Sequence, residues 1–140
     1  MSASQAQAST AELRLWKPFF LIAALYDGVL GAGFFVFYNP LFHALGIALP
    51  NNTSYIHITT AFIFVQGLSY WYVSRDPVRN ADIVKVGVVY KLIYSGLAFY
   101  YLAIGQLLSA VFAWLGVVDV VFLVLFVTFL VRVSRQGRSS

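Results

Sequence analysis

The sequence predicts an all-α integral membrane protein, an antiparallel four-helix bundle with both termini in the cytoplasm. Of its 140 residues, 61% are hydrophobic and only 10% are charged, with a mean hydropathy of +0.81. A soluble domain carries about 25% charged residues, so this composition belongs to the membrane class. Four apolar runs approach the roughly 20 residues that a spanning helix needs. The absence of cysteine excludes disulfides and thiolate chemistry.

The four predicted helices cover residues 19–38, 56–73, 86–104 and 110–131, and together they form one transmembrane domain over 19–131. Residues 1–18 are polar and are expected to form a flexible cytoplasmic tail, while 132–140 form a basic cytoplasmic tail. The first connection contains "PLFHALGIALP", which is apolar but too short to span. We expect it to be an interfacial or re-entrant segment that caps the bundle.

The positions of Lys and Arg predict the orientation. The loop between the second and third runs holds Arg75, Arg79 and Lys85, and both tails are basic, whereas the other two connections contain neither Lys nor Arg. Basic segments favour the cytoplasmic side, and they share one side only if the chain crosses four times. The net charge of +4 does not indicate nucleic acid binding, because the basic residues border apolar runs instead of forming a stripe with stacking aromatics.

Small residues on the first predicted helix indicate where a neighbouring helix packs. Ala24, Gly28 and Ala32 are spaced by four, which places them along one face. Such a face lets two helix backbones approach closely in a membrane. It is common within single bundles, so it is weak evidence for a dimer.

Each predicted helix carries one strongly polar residue: Asp27, Gln66, Lys91 and Asp119. Measured along the helices from the cytoplasmic boundary, Asp27 and Gln66 lie about 13 Å deep, Lys91 about 9 Å and Asp119 about 19 Å. A central charge costs about 2.5–3.5 kcal/mol on insertion scales and is rarely kept without a partner or a task. We therefore predict that the four side chains meet in one layer. Tyr94, on the Lys91 face, joins them as a candidate ligand- or proton-binding residue.

The charges of this layer do not balance. If all three groups are ionised, two carboxylates and one ammonium leave one negative charge over, so the site is expected to hold a proton, bind a cation or admit water. We expect Lys91 to pair with one aspartate, while the other is protonated near neutral pH. A purely structural role is the alternative, because polar side chains also fix helix register in membranes. For the neutral amide of Gln66 the structural role is favoured.

Four segments resemble small bacterial inner-membrane proteins of the DoxX-like kind: "YDGVLGAGFF", "VQGLSYWYVSRDPVRN", "VVYKLIYSG" and "VVDVVFLVLF". The resemblance lies in hydropathy, length and the placing of polar residues, and it covers most of the chain. It implies a four-helix fold in the inner (plasma) membrane and, for some members, an accessory role beside redox partners. The lack of cysteine argues against thiol redox chemistry here.

Three functions are compatible with these features. The first is a non-enzymatic accessory or ligand-binding subunit, in contact with the lipid bilayer and with a membrane partner subunit or further copies of itself. The second is a proton- or cation-coupled transporter that acts as an oligomer. The third is a membrane enzyme for a lipid-soluble substrate, with an aspartate as acid or base. The sequence contains no recognised nucleophile, metal-site spacing or phosphate-binding loop, and it indicates no particular cofactor.

Overall fold

The chain folds into four helices. The computed structural model describes residues 3–138, with side chains described for 12–135. The helices are α1 (Ala3–Ala44), α2 (Ser54–Arg75), α3 (Ala81–Ala103) and α4 (Ala110–Arg138). Helix α1 packs antiparallel against α2, and α3 against α4, which confirms the all-α four-helix bundle. Residues 1, 2, 139 and 140 of the predicted tails lie outside the described residues.

Three of the helices are long and apolar enough to cross a membrane: Glu12–Ala44, Ala81–Ala103 and Ala110–Arg135. The chain is therefore a multi-pass membrane protein. Helix α2, predicted as a fourth span, is not among these three, because polar and amphipathic residues such as His57, Gln66 and Tyr70 lower its hydropathy. All four helices nevertheless present large apolar side chains outward, as a lipid-facing surface requires.

Helix α1 is longer than predicted at both ends. Helical backbone begins at Ala3, within the segment for which a flexible tail was expected, and its Ala, Gln, Glu and Leu residues favour helix. At the other end the helix continues past Tyr38 to Ala44, with non-helical dihedrals at Phe37 (φ −108°, ψ 25°). Pro40 explains this kink, because its ring has no amide hydrogen and crowds the preceding turn. The first five residues of the apolar connection, 40–44, are thus a kinked helix end, and 45–50 lie outside it.

Two glycines end α1 and α3 in the same way. Gly46 has a φ of +68° and Gly105 a φ of +71°, a conformation that favours glycine. The amide that follows each glycine donates to a carbonyl five residues back, at 2.9 Å in both helices. This is the Schellman pattern, which satisfies carbonyls at a helix end. Both connections at this end of the bundle therefore begin with a sharp, hydrogen-bonded turn.

Small residues bring α1 and α2 into backbone contact. A Cβ added to Gly67 would collide with the backbone of Gly28 and lie 2.9 Å from the carbonyl oxygen of Ala24. One added to Gly31 would lie 2.5 Å from the α2 backbone. Ala32, predicted to share this face, is exposed. Gly31 takes its place because a strict spacing of four drifts away from the contact in a helix with 3.6 residues per turn.

Apart from Lys91, the Lys and Arg residues lie toward one end of the bundle, which we call the basic end. Beside it the interior is filled by aromatic side chains, which we call the aromatic core: Trp16, Phe19, Phe20, Tyr70, Phe122, Phe126 and Phe129. The rings of Phe20, Phe126 and Phe129 are fully buried, with centroids of neighbouring rings about 5 Å apart. This packing closes the interior toward the basic end.

Candidate functional site

Three charged side chains from three helices meet in the interior. The Lys91 Nζ donates to Asp27 Oδ2 at 3.2 Å and to Asp119 Oδ1 at 2.9 Å. Lys91 is fully buried, and Asp27 and Asp119 are 2% and 4% exposed. The prediction that these three residues lie in one layer is confirmed, and we call them the Asp–Lys–Asp layer. Lys91 pairs with both aspartates, where the sequence suggested a pairing with one.

Part of the difference in depth inferred for Lys91 and Asp119 follows from where α3 begins. The depth of Lys91 was counted from Lys85, four residues after the start of the helix at Ala81. Lys91 is ten residues from Ala81, about 15 Å at 1.5 Å per residue. The Lys91 Nζ bonds to both carboxylates, so rise along the helices does not by itself give the depth at which the charged atoms meet.

Aromatic rings surround the Lys91 ammonium. Its Nζ lies 5.2 Å from the ring centroid of Phe122 and 5.5–5.6 Å from those of Tyr26, Tyr70 and Tyr90. Ring faces attract cations, and the attraction increases when water is excluded. Two carboxylates and four rings therefore replace the hydration that Lys91 loses on burial.

Part of this aromatic environment is visible in the sequence. Tyr26 and Tyr90 each precede a charged residue of the layer. Phe122 lies three residues after Asp119, which places it one turn further on the same face. Tyr70 was not predicted as a neighbour of Lys91.

Gln66 makes no hydrogen bond to the charged groups of the layer. Its Nε2 is buried without a hydrogen bond to Asp27, Lys91 or Asp119. Helix α2 also presents Tyr70, one turn later, whose ring lies beside Lys91. The side chain of Gln66 lies next to the Tyr70 hydroxyl. The place of Gln66 in the layer therefore stays a prediction.

A cavity of about 410 Å³ begins at the two carboxylates and extends away from the aromatic core. Asp27 and Asp119 line its base, together with Tyr26, Tyr90 and Tyr94. Lys91 is not among its lining residues, so the cavity meets the anionic side of the layer. We call it the Asp27–Asp119 cavity.

Tyr94 lies in the wall of this cavity, as its prediction as a site residue requires. Its hydroxyl donates to the main-chain carbonyl of Phe112 at 3.3 Å, which ties α3 to α4 above the layer. Tyr94 is not bonded to the charged groups themselves. Its position is compatible with contact to a ligand, and the binding role stays a prediction.

The first connection contributes to the far end of the cavity wall. Phe42, from the kinked end of α1, and Ile47, just after the Gly46 turn, are 9% and 8% exposed and line the cavity. The rest of the wall is mainly apolar, with the hydroxyl groups of Thr59 and Thr60 as further polar neighbours. The Thr60 hydroxyl already donates to the carbonyl of Ile56 at 2.7 Å. The site thus combines an apolar wall with a base formed by two carboxyl groups.

The chemistry of the site is that of hydrogen-bond acceptors. Lys91 bonds to one oxygen of each carboxylate, which leaves each aspartate a second oxygen for another donor. Within residues 12–135 no three metal-ligating side chains are grouped closely enough to hold a metal ion. No protein-family profile, curated protein or solved structure matches the chain.

Proposed function

We propose that this chain is a four-span, non-enzymatic membrane protein that binds a small, largely apolar ligand in the Asp27–Asp119 cavity. The observation that carries the proposal is the cavity itself. It lies between the helices, has a volume suited to a small molecule and joins an apolar wall to a few convergent polar groups. Ligand sites between the helices of bundles have this character.

Helix α2 is included as a fourth span because its length and surface suit the bilayer. Its 22 residues extend about 33 Å, enough for a hydrocarbon core of about 30 Å. Phe62 and Val65, near its middle, are more than half exposed and apolar. Four spans also place the basic end on one side, which by the charge rule is the cytoplasm. By the DoxX-like resemblance, we propose the bacterial inner membrane.

Binding is favoured over coupled transport by the asymmetry of the interior. A transport path would have to continue from the layer to the basic end. Tyr70, Phe122 and Phe126 pack there with ring centroids 5.1–6.2 Å apart. The transporter and the membrane enzyme stay alternatives, as do the accessory role beside a partner subunit and a homo-oligomer.

The orientation is tested by cysteine labelling, because the chain contains no cysteine of its own. Asn52→Cys lies before α2 and Arg79→Cys after it. In intact cells, we expect a membrane-impermeant maleimide to label Asn52→Cys and to label Arg79→Cys only after lysis. Equal labelling of both variants in intact cells would show that α2 does not cross.

The binding function is tested with 4-phenylbutan-1-ol, an apolar probe with one hydroxyl group. Calorimetric titration into protein in phosphatidylcholine nanodiscs should show saturable binding above that of empty nanodiscs. Leu115→Trp fills the cavity from α4 and should abolish it, whereas Val121→Trp, on the exposed face of the same helix, should not. Absence of saturable binding, or equal binding by both variants, would refute the proposal.

A further inference from the structure

We infer that the ligand of the Asp27–Asp119 cavity is a protonated apolar amine, whose ammonium group is held by the two carboxylates and the neighbouring tyrosine rings. The inference deepens the proposed function and rests on it, since it names the chemical class of the ligand. It is carried by three features of the same site: charge, geometry and the composition of the wall.

The charge of the layer favours a cation. Two buried carboxylates face one buried ammonium, so the ionised layer carries one negative charge in excess. An uncompensated charge is costly in a medium of low dielectric constant. The other described charged side chains lie toward the basic end, beyond the aromatic core, or in the α2–α3 connection. A positively charged ligand would neutralise the layer from the cavity.

The geometry places the anionic groups toward the ligand. Lys91 is fully buried and does not line the cavity, whereas Asp27 and Asp119 do. An incoming cation therefore meets carboxylates before it meets the lysine. The oxygen that each aspartate does not share with Lys91 can accept a hydrogen bond from an N–H group. An ammonium with two or three N–H donors suits two such acceptors.

The wall of the cavity suits an amine whose remaining part is apolar. Tyr26, Tyr90 and Tyr94 line the cavity near its charged base, and their ring faces attract an ammonium group. The Tyr26 hydroxyl is itself buried and has no hydrogen-bond partner in the described chain. Further out, Leu30 and Ile63 offer only hydrocarbon contact. This order of polar base and apolar wall matches a molecule with one charged end.

The test compares two probes of equal length, 4-phenylbutylamine and 4-phenylbutan-1-ol, at pH 7, where the amine is protonated. Titration into nanodiscs of zwitterionic phosphatidylcholine avoids attraction by anionic lipids. We expect the amine to bind about tenfold more tightly than the alcohol, from hydrogen bonds to charged acceptors. Equal affinities, or tighter binding of the alcohol, would overturn the inference and leave the proposed binding function intact. Failure of both probes to bind would refute both.

A variant tests whether the carboxylates cause the preference. Asp119→Asn leaves Lys91 and Asp27 as a neutral pair, so the alcohol should still bind while the preference for the amine is lost. Asp82→Asn removes an exposed carboxylate at the start of α3 and should keep the preference. An unchanged preference in Asp119→Asn would overturn the inference. If that variant does not fold, the wild-type ratio of the two affinities decides.

Discussion

The two halves of this bundle are built from the same four helices but are filled differently. On the basic side of the Asp–Lys–Asp layer, fully buried aromatic rings such as Phe20, Phe126 and Phe129 pack in the interior. On the opposite side, a cavity of about 410 Å³ remains between the helices. The layer therefore lies at a boundary between a closed and an open region. A residue set that only joined helices would not need an open space on one side.

The position of the layer at this boundary explains how its charged groups can be held firmly and still be accessible from the cavity. The aromatic core and the surrounding rings exclude water from Lys91 and bring its charge close to two carboxylates. In a medium of low dielectric constant such pairs are strong, but each polar group must be satisfied. The cavity leaves one oxygen of each aspartate accessible to a further donor. Lys91 is therefore held by both of its partners, whereas each carboxylate keeps a second oxygen that can accept a hydrogen bond from a ligand.

Removal of the Lys91 charge should have the largest effect on the free energy of unfolding. Lys91→Met leaves two carboxylates close together without their common partner, and breaking a buried pair in this way costs about 3–5 kcal/mol. We expect that loss in the free energy of unfolding, measured by denaturant titration in mixed micelles. Combining Lys91→Met with Asp27→Asn and Asp119→Asn should restore part of it.

Lys85→Met is the matched control for that experiment. Lys85 also bonds to an aspartate, Asp82, at 2.7 Å, but both side chains are largely exposed. Exposed pairs contribute little to stability, so no measurable change is expected. A Lys91 variant as stable as the Lys85 variant would show that the layer does not hold the bundle together.

The difference in packing predicts unequal costs for the same substitution in the two halves. Phe126 is fully buried in the aromatic core, whereas Phe112 lines the cavity. Phe126→Ala should lower the free energy of unfolding by about 3 kcal/mol, because neighbours on all sides lose contacts. Phe112→Ala should cost less than half as much, since its ring already borders open space. Equal losses would contradict a difference in packing between the halves.

A smaller loss of stability is expected from a substitution at the point where α3 approaches the aromatic core. A Cβ added to Gly87 would lie 2.8 Å from the ring and hydroxyl of Tyr70 and 3.1 Å from Phe126. Gly87→Ala should therefore destabilise the fold by about 1–3 kcal/mol from overpacking, less the gain in helix propensity. Gly96→Ala, on the same helix with nothing within 4 Å, should be neutral or stabilising. Unfolding of both variants in the same micelles gives the comparison, and a stabilising Gly87→Ala would be contrary to it.

The sequence was sufficient to predict the charged layer for a simple physical reason. Asp27, Lys91 and Asp119 are the charged residues inside the apolar runs. An unpaired charge is costly in a membrane, so oppositely charged side chains are expected to pair there. The neutral amide of Gln66 has no comparable drive, and it makes no hydrogen bond to these charged groups. Charge, and not polarity alone, made the partners predictable.

Other features depended on packing that no single helix encodes. The predicted first helix ended at residue 38, whereas the helix kinks near Pro40 and continues to Ala44. The cavity was not predictable because its volume results from the side chains of four helices meeting. The role of Phe42 and Ile47 as its far wall follows only from the way the first connection folds back.

The central claim is that the aspartates of the layer open into a cavity that admits small apolar molecules. Photolabelling with 3-trifluoromethyl-3-phenyldiazirine, a small apolar reagent whose carbene reacts with neighbouring groups whatever their charge, tests it directly, with peptide mass spectrometry to locate the adducts. We predict an adduct on Asp27 or Asp119, or on the tyrosines that line the cavity beside them, suppressed in Leu115→Trp and unchanged in Val121→Trp. No adduct at these residues, or the same yield in both tryptophan variants, would contradict the claim.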